Sequence, residues 1–412
     1  MGEYFLATKV SGQTCYTEAI DNHFSLGCKV KIKSISVQKL FDTFNHTVEI
    51  NQQSGITVLY GSNGFGKTTL LNMTESLFSA KFRLLQSVPF LKFNIILDNN
   101  MVLSVEKVKQ QASLKFCLEN ADSEASEQNT VYIMPDVGMT QGELPTWLGQ
   151  IINAVSVRSI KVASEVMFDV YSNGKDETWL VDFYSQDIVL RIGRTLEAFA
   201  ELSYTIDRKF PHQIDESSES SIAINPKILG EKLEALEQKY TRLTALGLLG
   251  RNEIGIENHS SNIEIKVLSI YVKNMDEKLS VFDDLVSRLD IFRRIVEARF
   301  DFKKLIIDRE KGFRFLLPDN THININHLSS GEQCEFIRFY QLLFFGKDNE
   351  LILIDDPEIS LHVRWQRKFL ADIESITKVR PVNFLIATHS PSIIGERWDW
   401  SVALKKPEEE AV

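Results

Sequence analysis

One short stretch constrains the fold of this chain more than any other. Ile56-Thr57-Val58-Leu59-Tyr60 is an apolar run with strand character, and Gly61-Ser62-Asn63-Gly64-Phe65-Gly66-Lys67-Thr68 follows it without a break. Thr68 to Phe78 then places Leu70, Leu71, Met73 and Leu77 at helical spacing. Strand, glycine loop and helix in that order is the context in which G-x-x-x-x-G-K-[ST] binds phosphate. The glycines let consecutive backbone N–H groups turn inward around an anion, and the helix presents its positive end. Ser62, Asn63, Gly64, Gly66, Lys67, Thr68 and Thr69 are therefore the expected nucleotide-binding residues, with Lys67 reaching the terminal phosphates and Thr68 ligating Mg2+.

Three further signals follow in order, the first about 260 residues downstream. Leu328-Ser329-Ser330-Gly331-Glu332 precedes a predicted helix over 334–345. Small polar residues before a helix are the ordinary capping pattern, but an exposed helix N-terminus also attracts a phosphate. Leu351-Ile352-Leu353-Ile354 reads as a buried strand ending in Asp355 and Asp356. At the C-terminal edge of a parallel sheet the first carboxylate would face the Mg2+ and the second the attacking water; the plainer reading is a solvated acidic turn. The buried strand 383–387 ends in Thr388 and His389, whose ring is either a γ-phosphate sensor or a structural group.

The rest of the chain bounds what these motifs can serve. With 412 residues, 43% hydrophobic and 25% charged, two or three structural units of a soluble protein are expected. A net charge of -10 disfavours a broad surface for a phosphate backbone, so DNA contact would need a local patch. Lys303, Lys304, Arg309, Lys311 and Arg314 are the candidate patch, or else a solvated face. Cys15, Cys28, Cys117 and Cys334 are scattered and suggest neither zinc nor disulfides, which fits a reducing cytoplasm. No run is long and apolar enough to span a bilayer, and the N-terminus lacks a signal peptide's basic start.

Organisation is legible in outline. Residues 1–28 are polar and irregular, an N-terminal extension. An ATPase lobe over 29–200 combines the phosphate loop with an antiparallel β subdomain, whose strands alternate between Phe93 and Leu118. Helical periodicity begins near Asp187, is interrupted at Pro211 and the serine-rich 215–221, and continues through a helical insertion over 201–300. Two segments there, Leu229 to Leu243 and Phe282 to Val296, have coiled-coil-like spacing over too few heptads for a long arm, so a compact helical hairpin or bundle is expected. Residues 301–412 complete the head, their short apolar strands alternating with helices, one of them expected from Ile359 to Ile376, as a parallel sheet requires.

Taken together, the phosphate loop, LSSGEQ, LILIDDPEISLHVRWQ and ATHSPSII resemble the ATP-binding-cassette ATPase head, in the branch of SMC-like repair ATPases and overcoming-lysogeny-defect proteins. KLFDTFNHTVEI, YSQDIVLRI, IDRKFP and RWDWSV extend the likeness to stand-alone AAA-family ATPases of bacterial anti-phage defence, such as the ATPase subunit of PARIS systems. The resemblance implies ATP held between two copies, with Lys67 and Asp355 of one facing Ser329, Ser330, Gly331 and Glu332 of the other. It implies Asp356 and His389 as catalytic residues, and Phe41 or Phe44 as an adenine platform where neither is simply core. A homo-oligomer, a separate effector protein and a phage-encoded trigger would be the partners.

Two departures qualify it. Such heads carry Glu where this chain has Asp356, one methylene shorter, so slow hydrolysis is expected. No Q-loop glutamine is evident, since the strand-like 155–162 leads into Ala163-Ser164-Glu165. With 23 residues following His389, an effector is expected on another polypeptide. The alternative is an SMC- or RecF-like repair ATPase that binds DNA; a transporter subunit is disfavoured by the bulky insertion.

Overall fold

Strand propensity and alternation shape the beginning of the chain in the computed structural model, which describes residues 30–108, 113–120, 129–134, 144–160, 180–219, 225–250 and 262–405. β1 (Ile32–Leu40), β2 (Phe44–Glu49) and β3 (Ile56–Tyr60) lead into α1 (Lys67–Phe78) and the short α2 (Arg83–Ser87). Then come β4 (Lys92–Leu97), β5 (Met101–Lys107), β6 (Leu114–Asn120), β7 (Asn129–Ile133), α3 (Thr146–Ala154) and β8 (Val157–Ile160). Four helices follow: α4 (Leu180–Glu219), α5 (Pro226–Ala245), α6 (Asn262–Ser280) and α7 (Asp283–Arg299). The chain continues with β9 (Lys304–Asp308), β10 (Gly312–Leu316), β11 (His322–Asn324) and α8 (Ser330–Phe344). It closes with β12 (Leu351–Asp355), α9 (Val363–Thr377), β13 (Asn383–Thr388), α10 (Pro391–Ile394) and β14 (Ser401–Ala403).

The described residues divide into two compact units. The first joins those up to 160 with those from Gly346 onward. Its parallel sheet runs β14-β3-β13-β12-β8, and its antiparallel sheet runs β2-β1-β4-β5-β6-β7. β13 is buried along its whole length and β12 along all but its last residue, which is why both read as unbroken apolar runs. The antiparallel strands instead alternate, as in β4, because one face is solvated. Leu70, Leu71, Met73 and Leu77 of α1 join residues of both sheets in one core. The parallel register sets Asp355 beside Ala387, so β12 and β13 end level with each other.

The second unit holds α4 to α8 and the antiparallel sheet β11-β10-β9. Phe292, Phe313, Phe336 and Tyr340 pack ring against ring and fasten α8 to α7 and β10. The Tyr340 hydroxyl donates to Asp187 of α4 at 2.7 Å. Glu335 and Arg338 of α8 are buried together with Arg299 from the end of α7, and Arg299 also lies over the Phe339 ring.

The expected architecture is present: a parallel core sheet, an antiparallel sheet and a helical insertion. Two local expectations fail. Pro211 does not interrupt the helix, since α4 runs 40 residues through it. Proline removes one backbone hydrogen bond, while packing on α6, including Asn274 donating to Gln213 at 2.7 Å, supports the helix beyond it. At about 1.5 Å per residue α4 is roughly 60 Å long, longer than a compact hairpin implies. The helix expected from Ile359 starts at Val363, because Asp356 turns left-handed and Pro357 opens a 3-10 turn. The 1–28 extension, the 163–165 segment and residues 220–221 of the serine-rich stretch lie outside the described residues.

Candidate nucleotide site

Backbone geometry explains the glycines of the loop. Gly64 and Gly66 adopt φ of 85° and 84°, a region costly for residues with a Cβ. At Gly66 a Cβ would also lie 2.4 Å from Leu40 Cδ2. The loop is thus pressed against the β1–β2 turn, where Lys39, Phe41 and Asp42 are themselves left-handed. From β2, His46 Nε2–H donates to the Phe65 carbonyl at 2.8 Å, while the Phe44 ring stacks on His46 at 5.6 Å and lies tilted against Phe65 at 5.5 Å. Burial holds the His46 pKa below its ordinary value, against the pull of that carbonyl. Phe44 is therefore part of the brace, while Phe41 is the more exposed ring beside Gly66.

Ser62, Asn63, Gly64 and Thr68 are exposed, Thr69 is half-buried, and Gly66 and Lys67 are buried. Lys67 Nζ donates to the Gly61 carbonyl at 2.7 Å, the Ser62 carbonyl at 3.1 Å and His389 Nδ1 at 3.1 Å. Thr68 Oγ1 donates to Asp355 Oδ1 at 3.1 Å. The two expected Mg2+ ligands, separated by 287 residues in sequence, are thus already in contact. A hydroxyl and a carboxylate are hard oxygen donors suited to Mg2+, which keeps its other positions for water and substrate phosphates. The residues present fit the ion.

Asp356 has φ 42° and ψ 57°, and its N–H donates to the Ala387 carbonyl at 2.9 Å. This turn lifts its carboxylate off the end of β12, where Oδ1 lies 3.7 Å from His389 Nε2. That oxygen is buried and accepts no hydrogen bond among the described residues. Desolvation raises the pKa of Asp355 and Asp356, each aided by neighbouring carboxylates. Desolvation also lowers that of Lys67, against the attraction of Asp356, Asp355 and Glu358. The charged forms of all three groups are strained here, and a bound cation with its polyphosphate would relieve that strain.

Glu358 was not singled out from sequence. It lies in the 3-10 turn Pro357–Ser360 and accepts from the Thr388 hydroxyl and the N–H groups of His389 and Ser390. The available signal was the third carboxylate of the Asp355-Asp356-Pro357-Glu358 run, opposite the polar Thr388-His389-Ser390.

In the second unit, Ser329 caps α8. Its side chain accepts from the Glu332 N–H, and the Glu332 carboxylate accepts from the Ser329 N–H at 2.9 Å. The capping reading of this motif is correct, and Ser329 and Ser330 are nevertheless exposed. Lys303 donates to Glu332 at 2.5 Å. The basic cluster is partly neutralised, since Arg314 also pairs with Asp308 at 2.7 Å. Among the described residues no helix is long and apolar enough to cross a membrane.

Residues 31–394 match the family described as AAA ATPase domain. Protein ea59 of Escherichia phage lambda is 24% identical over 164 residues, 35% of this chain and 31% of that protein, so this chain spans about a third of that relative. Among solved structures, the Smc head domain of Pyrococcus furiosus bound to the C-terminal domain of ScpA is 12% identical, with 89% of this chain and 91% of that one covered at a TM-score of 0.36. The SMC head domain of Thermotoga maritima is 9% identical, with 88% and 91% covered at 0.35.

Proposed function

Because the chain belongs to the AAA ATPase domain family, we propose that it is an ATP-driven switch that binds Mg-ATP firmly and hydrolyses it slowly. The observation that carries this reading is the meeting of Thr68, Asp355, Asp356, Lys67 and His389 around one loop, with Thr68 already on Asp355. Mg2+ would neutralise phosphate charge there. Lys67 exchanges its loop carbonyls for phosphate oxygens. Asp356 orients and deprotonates the attacking water, and His389 donates from Nε2 toward the charge that develops. With Asp in place of the Glu of related heads, the carboxylate falls short of that water.

Slow chemistry suits a protein whose output is a state. In this reading Ser329, Ser330, Gly331 and Glu332 of a second copy cap the nucleotide of the first. ATP then holds the dimer and hydrolysis releases it. The biological role proposed is that of the sensor in an anti-phage defence system, answering a phage-encoded trigger and controlling a separate effector. Its support is the resemblance of the motif set to such ATPases. Steady-state turnover by the purified chain tests the mechanism. Turnover well below roughly ten per second is expected, and an untriggered rate of tens per second would contradict a switch.

A further inference from the structure

We propose that Glu358 is a positioning residue of this site, acting through His389; the inference rests on the ATPase reading above. A carboxylate has about four acceptor positions on its two oxygens. In Glu358 three donors occupy all but one of them, and all three come from one three-residue segment. Oε1 accepts from the N–H of His389 at 2.7 Å and from the N–H of Ser390 at 3.1 Å, while Oε2 accepts from the Thr388 hydroxyl at 2.8 Å. Thr388 in turn accepts from the Ser390 N–H at 3.0 Å, closing a small network around the carboxylate. Ser390 Oγ donates to Gln366 at 2.9 Å, which anchors the far side of the segment to α9.

The consequence falls on the imidazole between these anchors. With its backbone held, the His389 ring lies with Nδ1 3.1 Å from Lys67 Nζ and Nε2 3.7 Å from Asp356 Oδ1. A lysine ammonium has no lone pair to offer, so Nδ1 accepts and the proton of the neutral ring sits on Nε2, facing Asp356. By holding the backbone of His389, Glu358 thus keeps the ring where Lys67 sets its tautomer in the nucleotide-free site and where Nε2 faces the Asp356 carboxylate. It belongs to the same turn as Asp356, so the carboxylate and the histidine are set by one rigid element. Charge-assisted bonds to backbone N–H groups are the strong kind, and misplacing a catalytic group by about 1 Å can cost on the order of 100-fold in rate.

Glu358→Gln keeps the shape but turns an NH2 toward one of the three donors. The expected result is a fall in kcat of about 10- to 100-fold, with ATP affinity changed by less than about threefold. Thr388→Val removes one of the three donors and should give an intermediate loss. The second readout needs no nucleotide: 15N spectra of histidine-labelled protein above the ordinary imidazole titration range, with His389→Asn assigning the signal. The wild type should show a single Nε2–H tautomer at His389, and Glu358→Gln a mixture. An unchanged tautomer together with unchanged kcat would overturn the proposal. So would a loss of kcat matched by equal losses in ATP affinity and melting temperature, which would make Glu358 merely structural. Failure of the wild type to turn over ATP would instead sink the ATPase reading, and the tautomer would still decide the clamp.

Discussion

Lys67 and His389, 322 residues apart in sequence, share a 3.1 Å hydrogen bond from Nζ to Nδ1. The glycine loop and the segment that follows β13 are therefore tied directly to each other. In the proposed switch, Lys67 would leave its loop carbonyls and His389 for a phosphate and so free both loops at once. Lys67→Met removes this exchange and the phosphate contact together. ATP affinity should drop at least about tenfold, equivalent to roughly 1.4 kcal/mol, while the melting temperature stays near that of the parent. Equilibrium binding of a fluorescent ATP analogue checks it.

Asp356 supplies the second expectation. Asp356→Glu extends the carboxylate by one methylene from the same left-handed turn. Turnover should rise by about tenfold, a fraction of the roughly 100- to 10,000-fold that a well-placed general base contributes, with little change in affinity. Asp356→Asn should bind ATP and leave it intact. A phosphate-release assay distinguishes the three forms, and a slower Asp356→Glu would show that the shorter side chain is the adapted one.

The brace beneath the loop makes stability depend on pH. His46 has a folded pKa below its ordinary 6.5, chiefly through burial. Above 6.5 it is neutral in both states and contributes no pH dependence. As pH falls below 6.5 the unfolded chain takes up a proton that the folded chain resists, so stability is lost toward the folded pKa. His46→Gln keeps a donor for the Phe65 carbonyl without titrating. Its melting temperature should fall less than the parent's between about pH 7 and pH 5, as read by differential scanning calorimetry.

Much of this was legible in sequence because the decisive elements are short and periodic. Ile56–Tyr60, Leu351–Asp355 and Asn383–Thr388 are strands buried on both faces, so their apolar runs announce a parallel sheet. The loop and the acidic pair could be singled out as candidates because phosphate and Mg2+ chemistry favour those residue types at those spacings, and the fold brings Thr68 onto Asp355. What was not legible depends on contacts between distant segments. Glu358 reaches Thr388, His389 and Ser390 only because β12 and β13 end in register. Helical continuity through Pro211 depends on α6 packing, and periodicity within α4 cannot show it. The helix expected at Ile359 starts late because one left-handed residue, Asp356, redirects the chain.

Charge pairing in the second unit bears on the DNA-binding alternative. Lys303 is engaged by Glu332 and Arg314 by Asp308, which leaves few cations of that cluster free to meet a phosphate backbone. Duplex DNA should therefore bind weakly, with a log–log salt slope corresponding to no more than about two or three phosphates. Fluorescence anisotropy across a salt series measures that slope. A slope of about six or more would restore a repair-type reading.

The switch itself is tested most directly by mass in solution. Light scattering of Asp356→Asn, alone, with Mg-ADP and with Mg-ATP, reads whether nucleotide joins two copies. The account expects a doubling of mass with Mg-ATP alone, abolished by adding Ser330→Arg, a residue exposed at the start of α8. A mass that is unchanged by Mg-ATP while ATP is demonstrably bound, or a dimer indifferent to Ser330→Arg, would contradict it.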